Sequence, residues 1–207
     1  CIEKAAEAIN WKEKRDKPGN RGVGLGLCGM FSGAAFYPFA SSAIVKVNHD
    51  GRRTLYQGSV EFGQGSETAL SQIAAEELGV SLEDVDIVAG DSEKCPMDYN
   101  NCFSGGMKVS GEAVRRAAND ARQQILEDVA QALGARVEEL ELANKRIYVR
   151  GDAEKGMLLG DAVRDSIQRR GGNPIIGRGY CKAVPAIEFY PSISKGAGRL
   201  TDAYGLA

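Results

Sequence analysis

Residues 54–79 read TLYQGSVEFGQGSETALSQIAAEELG, and the change of rhythm inside this stretch decides the fold. Thr54 to Phe62 reads as an extended strand returning from a hairpin whose turn is Asp50-Gly51. After Gly63-Gln64-Gly65, Leu70, Ile73, Ala74 and Leu78 recur at steps of three, one and four residues, which places them on one helix face. Gly79 is a fitting stop, because glycine enters the left-handed conformation at helix ends without a Cβ clash. A strand, a glycine-flanked turn and a helix therefore follow one another directly.

Working upstream, Ser42–Asn48 supplies the outgoing strand of the hairpin, with Ile44 and Val45 apolar. Gly22–Met30 alternates as a further strand. Its Gly22-Val23-Gly24-Leu25-Gly26 run lacks dinucleotide-fingerprint spacing and leads into no helix. Lys12–Arg21 is a charged loop, and Ile2, Ala5, Ala6 and Ile9 mark a short helix over 2–9. Downstream, Ser81–Asp84 has capping-box spacing, Val85–Ala89 reads as a buried strand, and residues 92–106 form a long loop. Glu112–Leu133 is the clearest helix, with Val114, Ala118, Ala121, Ile125 and Val129 on one side. Strands near 139–149, a helix near 159–169 closed by Gly171, and a strand near 175–184 complete the pattern. The order is not a repeating βαβ unit, so the expected class is α+β, mixed sheets with packed helices. Three parts are expected: a helix and linker over 1–20, an α+β domain over 21–135, and a smaller α+β tail over 136–207.

Composition narrows the function. With 26 basic and 28 acidic residues, the net charge of −2 gives no electrostatic basis for nucleic acid or a membrane surface. No apolar run approaches the ~18 residues of a membrane span. Five cysteines at irregular spacing and a single histidine, His49, argue against a disulfide framework, a zinc site or an iron–sulfur cluster, and fit a reducing cytoplasm. Glycine, at 26 of 207 residues, exceeds the usual ~7% and gathers in turns.

Two of those turns are candidate sites. Gly63-Gln64-Gly65 stands at a helix start, where free N–H groups attract anions and the Gln64 carboxamide offers two donors and an acceptor. By spacing alone it is either such a site or an ordinary strand-to-helix turn. Asn100–Met107 also precedes a helix, and Ser104, Gly105 and Gly106 form either a second nest of N–H groups or a plain surface loop. Cys102 there reads as a reactive or a packing thiol. Glu61 and Asp91 flank the loops in solvated or capping roles, and Arg115 and Arg116 either reach a phosphate or face solvent.

The run Val60–Gly65, then Thr68–Val80, Val85–Ser92 and Val109–Ala118, resembles the molybdopterin-binding large subunit of the xanthine dehydrogenase and aldehyde oxidase family. Ala6–Trp11 is similar too, and the likeness extends from residue 2 to about 190. The resemblance implies that Gly63, Gln64 and Gly65 contact the molybdenum cofactor, and that Cys102, Phe103, Ser104 and Gly105 lie on a second cofactor loop. Phe31–Ala34 would lie toward the substrate funnel. The cofactor implied is molybdopterin with Mo, free or as its cytosine dinucleotide, with no direct protein ligand to the metal. The partners implied are a small-molecule substrate, 2Fe-2S and FAD domains or subunits, and the rest of the large subunit. The chain departs from the family at Phe103, where many relatives carry a small residue, and at Gly105 and Gly106, where they carry Ser-Arg. It also lacks the family's Gly-Gly-x-Phe-Gly loop, Arg-Gly cofactor loop and Gly-x-Gly-Glu segment with the catalytic glutamate. A fragment of a hydroxylating oxidoreductase, with no catalytic residue of its own, is the expectation. A non-catalytic phosphate-binding or scaffold domain is the alternative, and a cytosolic enzyme using Cys102 a third.

Overall fold

The computed structural model describes residues 1–26, 40–99, 101, 102, 104–143 and 145–182. They divide into two compact units, Cys1–Phe31 and Ser32–Ala207. The first contains α1 (Ile2–Ala8) and a short α2 (Trp11–Lys14), the latter running into the start of the expected Lys12–Arg21 loop. The described part of the expected Gly22–Met30 strand, Gly22–Gly26, has no regular structure.

The second unit is α+β. Its main sheet has the order β3-β2-β1-β7, built from β1 (Ala40–Val47), β2 (Arg53–Gln57), β3 (Val85–Ala89) and β7 (Ile175–Lys182). β1 pairs antiparallel with β2 and with β7, while β2 and β3 are parallel. A parallel pair needs a crossover, and α3 (Ser66–Leu78) provides it. β1 buries Ser41, Ala43, Val45 and Val47, and β2 buries Arg53, Leu55 and Gln57, so alternate residues face the core.

α4 (Gly111–Leu133) covers that face, packed on β7, β1 and α3. It buries Ala113, Val114, Ala117, Ala118, Ala121, Ile125, Leu126 and Val129. Its approach to β7 is unusually close. A Cβ added to Gly177 would lie 2.0 Å from the Ala117 carbonyl oxygen, and one at Gly179 would lie 2.1 Å from that of Ala113. A smaller sheet of order β4-β5-β6 uses β4 (Leu140–Ala143), β5 (Arg146–Val149) and β6 (Asp152–Leu158). α5 (Leu159–Arg169) then packs on α4, where Arg170 and Ser166 both donate to the Asp128 carboxylate.

The helix stops form as glycine dictates. After α3, Val80 N–H donates to the Ala75 carbonyl at 3.0 Å and Gly79 N–H to Glu76 at 3.2 Å, with Gly79 at φ 64°. This paired closure satisfies two carbonyls that the helix leaves open. The Ser81–Asp84 capping box is present, with Ser81 Oγ donating to Asp84 at 2.8 Å.

Candidate functional site

β2 ends at Gln57 rather than at Phe62. The next residue, Gly58, has no room for a side chain, because a Cβ there would lie 2.3 Å from the Pro96 carbonyl oxygen. Ser59 N–H then donates to the Gln57 side chain instead of continuing a ladder. Residues 58–62 therefore leave the sheet and descend to the Gly63–Gly65 turn.

That turn is open outward and closed inward. Gly63 and Gly65 adopt φ 104° and 76°, and a Cβ at either would meet nothing within 4 Å. Only glycine enters this region freely, so the backbone stays bare to approach. Three of the N–H groups that could bind an anion, those of Gly63, Gly65 and Glu67, are already taken by Glu61. Its Oε1 accepts from Gly63 N–H at 2.7 Å and Gly65 N–H at 2.9 Å, and its Oε2 from Ser66 Oγ and Glu67 N–H, both at 3.2 Å. These donors, the Gly65 amide foremost, hold the Glu61 carboxyl down at about 2. Glu61 therefore caps α3 from outside the helix. Gln64 is exposed and turned back on its own loop. Its Oε1 accepts from Phe62 N–H at 2.8 Å, and its Nε2 donates to the Val60 carbonyl at 2.9 Å and to Ser66 Oγ at 3.1 Å.

The second loop hangs on a polar cluster that sequence reasoning did not single out. Asp98 Oδ2 accepts from Ser41 Oγ at 2.5 Å, Gln57 Nε2 at 2.5 Å and Ser110 Oγ at 2.6 Å, tying β1, β2 and the approach to α4 to one carboxylate oxygen. Asn101 joins this loop to the first. Its Oδ1 accepts from Ser59 Oγ at 2.5 Å, and its Nδ2 donates to the Val60 carbonyl at 3.1 Å. One legible signal existed: Ser41 and Gln57 are polar at core-facing strand positions, where an unpaired polar group is costly.

Of the second-loop candidates, Phe103 lies outside the described residues, as does the Phe31–Ala34 stretch. Ser104 sits at φ 58°, and Gly105 is buried with its N–H donated to the Cys102 carbonyl at 2.9 Å. One N–H of the suggested second nest is thus spent. Gly106–Ser110 forms a π turn running straight into α4, so this helix starts earlier than its apolar pattern predicts. Partial burial pushes the Cys102 thiol up, away from the thiolate a nucleophile needs. Arg115 and Arg116 both bind Glu112, at 2.9 and 2.7 Å, and Asp91 holds Lys94 at 2.6 Å. Among the described residues there is no His, Cys, Asp and Glu grouping able to hold a metal, and no helix long and apolar enough to cross a membrane. The arrangement offers a bare glycine turn, an exposed neutral carboxamide and a second loop tied to the same backbone corner.

Residues 4–205 match the model of the molybdopterin cofactor-binding domain family. Similar curated proteins include the gamma subunit of a 6-hydroxypseudooxynicotine dehydrogenase complex from Paenarthrobacter nicotinovorans, 33% identical over 82% of this chain and 22% of that protein. A probable hypoxanthine oxidase of Escherichia coli (strain K12) is 28% identical over 86% of this chain and 18% of its own length. Among solved structures, quinoline 2-oxidoreductase from Pseudomonas putida 86 aligns with a TM-score of 0.60 and 27% identity over 70% of this chain and 19% of that one. CO dehydrogenase from Oligotropha carboxidovorans, at 23% identity and a TM-score of 0.63 over 69% of this chain and 18% of that one, shares the fold. The chain spans about a fifth of the length of these relatives.

Proposed function

The chain belongs to the molybdopterin cofactor-binding domain family, and from that premise we propose that its Gly63–Gly65 turn and its 101–105 loop face the cofactor in the large subunit of a molybdenum hydroxylase. The observation carrying this reading is the convergence of both loops on the Val60 carbonyl, which accepts from Gln64 and from Asn101.

The residues present suit such a group. The glycines leave the backbone of the turn bare, with open space where a side chain would stand, and the exposed Gln64 carboxamide can orient an oxo group or a pterin edge. Cys102, Ser104 and Gly105, in the part spanning 21–135, are the proposed second wall; Phe103, assigned to the same loop by the family resemblance, lies outside the described residues. When bound, the cofactor supplies the redox chemistry, hydroxylating a carbon centre of an aldehyde, purine or other aromatic heterocycle with oxygen from water. This segment's own share is to bind and orient; it contributes no catalytic residue. The iron–sulfur and FAD groups that carry the two electrons away, and the motifs absent here, belong to partner subunits or the remaining large subunit. Molybdopterin as its cytosine dinucleotide, and a cytoplasmic location, complete the proposal.

The phosphate-binding alternative is disfavoured at this turn, because Glu61 already fills the helix N-terminus with a carboxylate. The raised Cys102 thiol disfavours the third reading and predicts slow alkylation at neutral pH.

The test is metal and pterin analysis of the full-length protein. Molybdenum and a fluorescent pterin oxidation product are expected in near-equal amounts; finding neither sinks the reading. In a loaded protein, Gln64→Ala should lower pterin retention about tenfold, the effect of one hydrogen bond of roughly 1.4 kcal/mol.

A further inference from the structure

Two carboxamides and, at 3.5 Å, the Ser66 hydroxyl reach the Val60 carbonyl, and the two carboxamides are anchored differently. Gln64 Nε2 reaches it at 2.9 Å and Asn101 Nδ2 at 3.1 Å, the two shorter of the three contacts. Gln64 is exposed, and its remaining bonds stay inside its own turn, to Phe62 N–H and Ser66 Oγ. Ser66 does not depend on it, since its single hydroxyl proton has the Glu61 carboxylate as acceptor at 3.2 Å, nearer than the Val60 carbonyl at 3.5 Å. Asn101 is half-buried and held from beneath. Ser59 Oγ donates to its carbonyl at 2.5 Å, Ser59 N–H is bound by Gln57, and Gln57 is fixed on Asp98 at 2.5 Å. The first donor can detach while the second keeps the corner in place.

We propose that Asn101 is a positioning residue for Gln64: it holds the Val60 carbonyl when the Gln64 carboxamide swings outward to donate to an acceptor oxygen at the Gly63–Gly65 turn. That the acceptor belongs to a molybdopterin group rests on the functional reading above; the tie is a property of the chain itself. With Asn101 in place, a ligand meets an ordered turn. Without it, releasing Gln64 also releases the corner, and the ligand has to order the segment it binds.

The test combines Asn101→Asp, Asn101→Ala, Gln64→Ala and the Gln64→Ala/Asn101→Asp double variant in the full-length protein. Asn101→Asp keeps the size and the acceptor for Ser59 but removes the donor to Val60. Hydrogen exchange of the Gly63, Gly65 and Glu67 amides, which Glu61 rather than Gln64 holds, reads the tie without any ligand. Gln64→Ala alone should leave these amides within about twofold of native, and the double variant should speed their exchange more than about tenfold, as expected for a local opening. Molybdenum and pterin content reads the second consequence: Asn101→Asp and Asn101→Ala should each lower it about fivefold or more at a melting temperature within about 2 °C of native. Losses in Asn101→Asp and Gln64→Ala should not multiply in the double variant, since both act through one carboxamide. The proposal is overturned if Gln64→Ala alone frees the corner, if the exchange effects simply add, or if Asn101→Asp loads to the native level. A native protein without molybdenum or pterin, but with the predicted exchange pattern, supports the tie and defeats only the cofactor reading.

Discussion

Glu61 occupies the place at the first turn of α3 where a free anion would bind, and its charge is what the turn depends on. Its folded pKa, about 2, lies below the ordinary 4.5. A depressed carboxyl contributes stability that is present above the unfolded value and disappears as pH falls through the folded one. The cap should therefore be intact above about pH 4.5 and lost toward pH 2. In an NMR titration, the Gly65 amide shift should move with a midpoint near 2; a midpoint near 4.5 would mean the carboxylate is outside the turn. Glu61→Gln should abolish that titration. At this scale the sequence was only partly legible. Glu61 lies four residues before the amide it chiefly binds, and nothing in its spacing distinguishes a capping carboxylate from a solvated one. The Asp98 cluster was harder still, because Ser41, Gln57, Asp98 and Ser110 are brought together only by the folded sheet.

Between α4 and β7 the contact is set by what is missing from the side chains. Gly177 and Gly179 lie against Ala113, Ala117 and Ala121, and a methyl at either glycine would run into helix backbone. Backbone cannot step aside as a flexible side chain can. Gly177→Ala and Gly179→Ala should each destabilise by about 3 kcal/mol, at the upper end of overpacking costs, and lower the melting temperature by roughly 10 °C for a chain of this size. Thermal unfolding by circular dichroism measures it; a loss of under about 2 °C would show that the strand shifts freely on the helix. The elements themselves were readable where local chemistry marks both ends. α3 begins after Gly65 and stops at Gly79, and β3 and α5 fall on their expected residues for similar reasons. β2 stops short of Phe62 where Ser59 N–H turns back to the Gln57 side chain and Pro96, a residue distant in sequence, lies close enough to Gly58 to exclude any side chain there. β6, whose Asp152–Lys155 half is polar and exposed, has no apolar alternation to betray it.

Across the whole molecule, the main sheet is completed by β7, the last strand in sequence among the described residues. β1 and β7 pair from Ala40↔Lys182 to Val47↔Ile175, so the sheet draws on residues on both sides of position 135. The α+β class could be read from the order of elements, but this pairing could not, since the alternation of 175–182 names no partner. A chain ending at residue 135 should lose the cover over the Ala113–Ala121 face of α4 and leave β1 as an open edge. Such edges template association, and size-exclusion chromatography should find this truncated chain aggregated, whereas residues 40–182 should elute as a folded monomer. The same pairing bears on how the protein is made. When Val47 leaves the ribosome, its partner Ile175 has not yet been translated. At about 5–20 residues per second the intervening stretch takes on the order of ten seconds to synthesise. Through that interval the nascent β1 has one vacant flank, an exposure set by the topology rather than by any one residue.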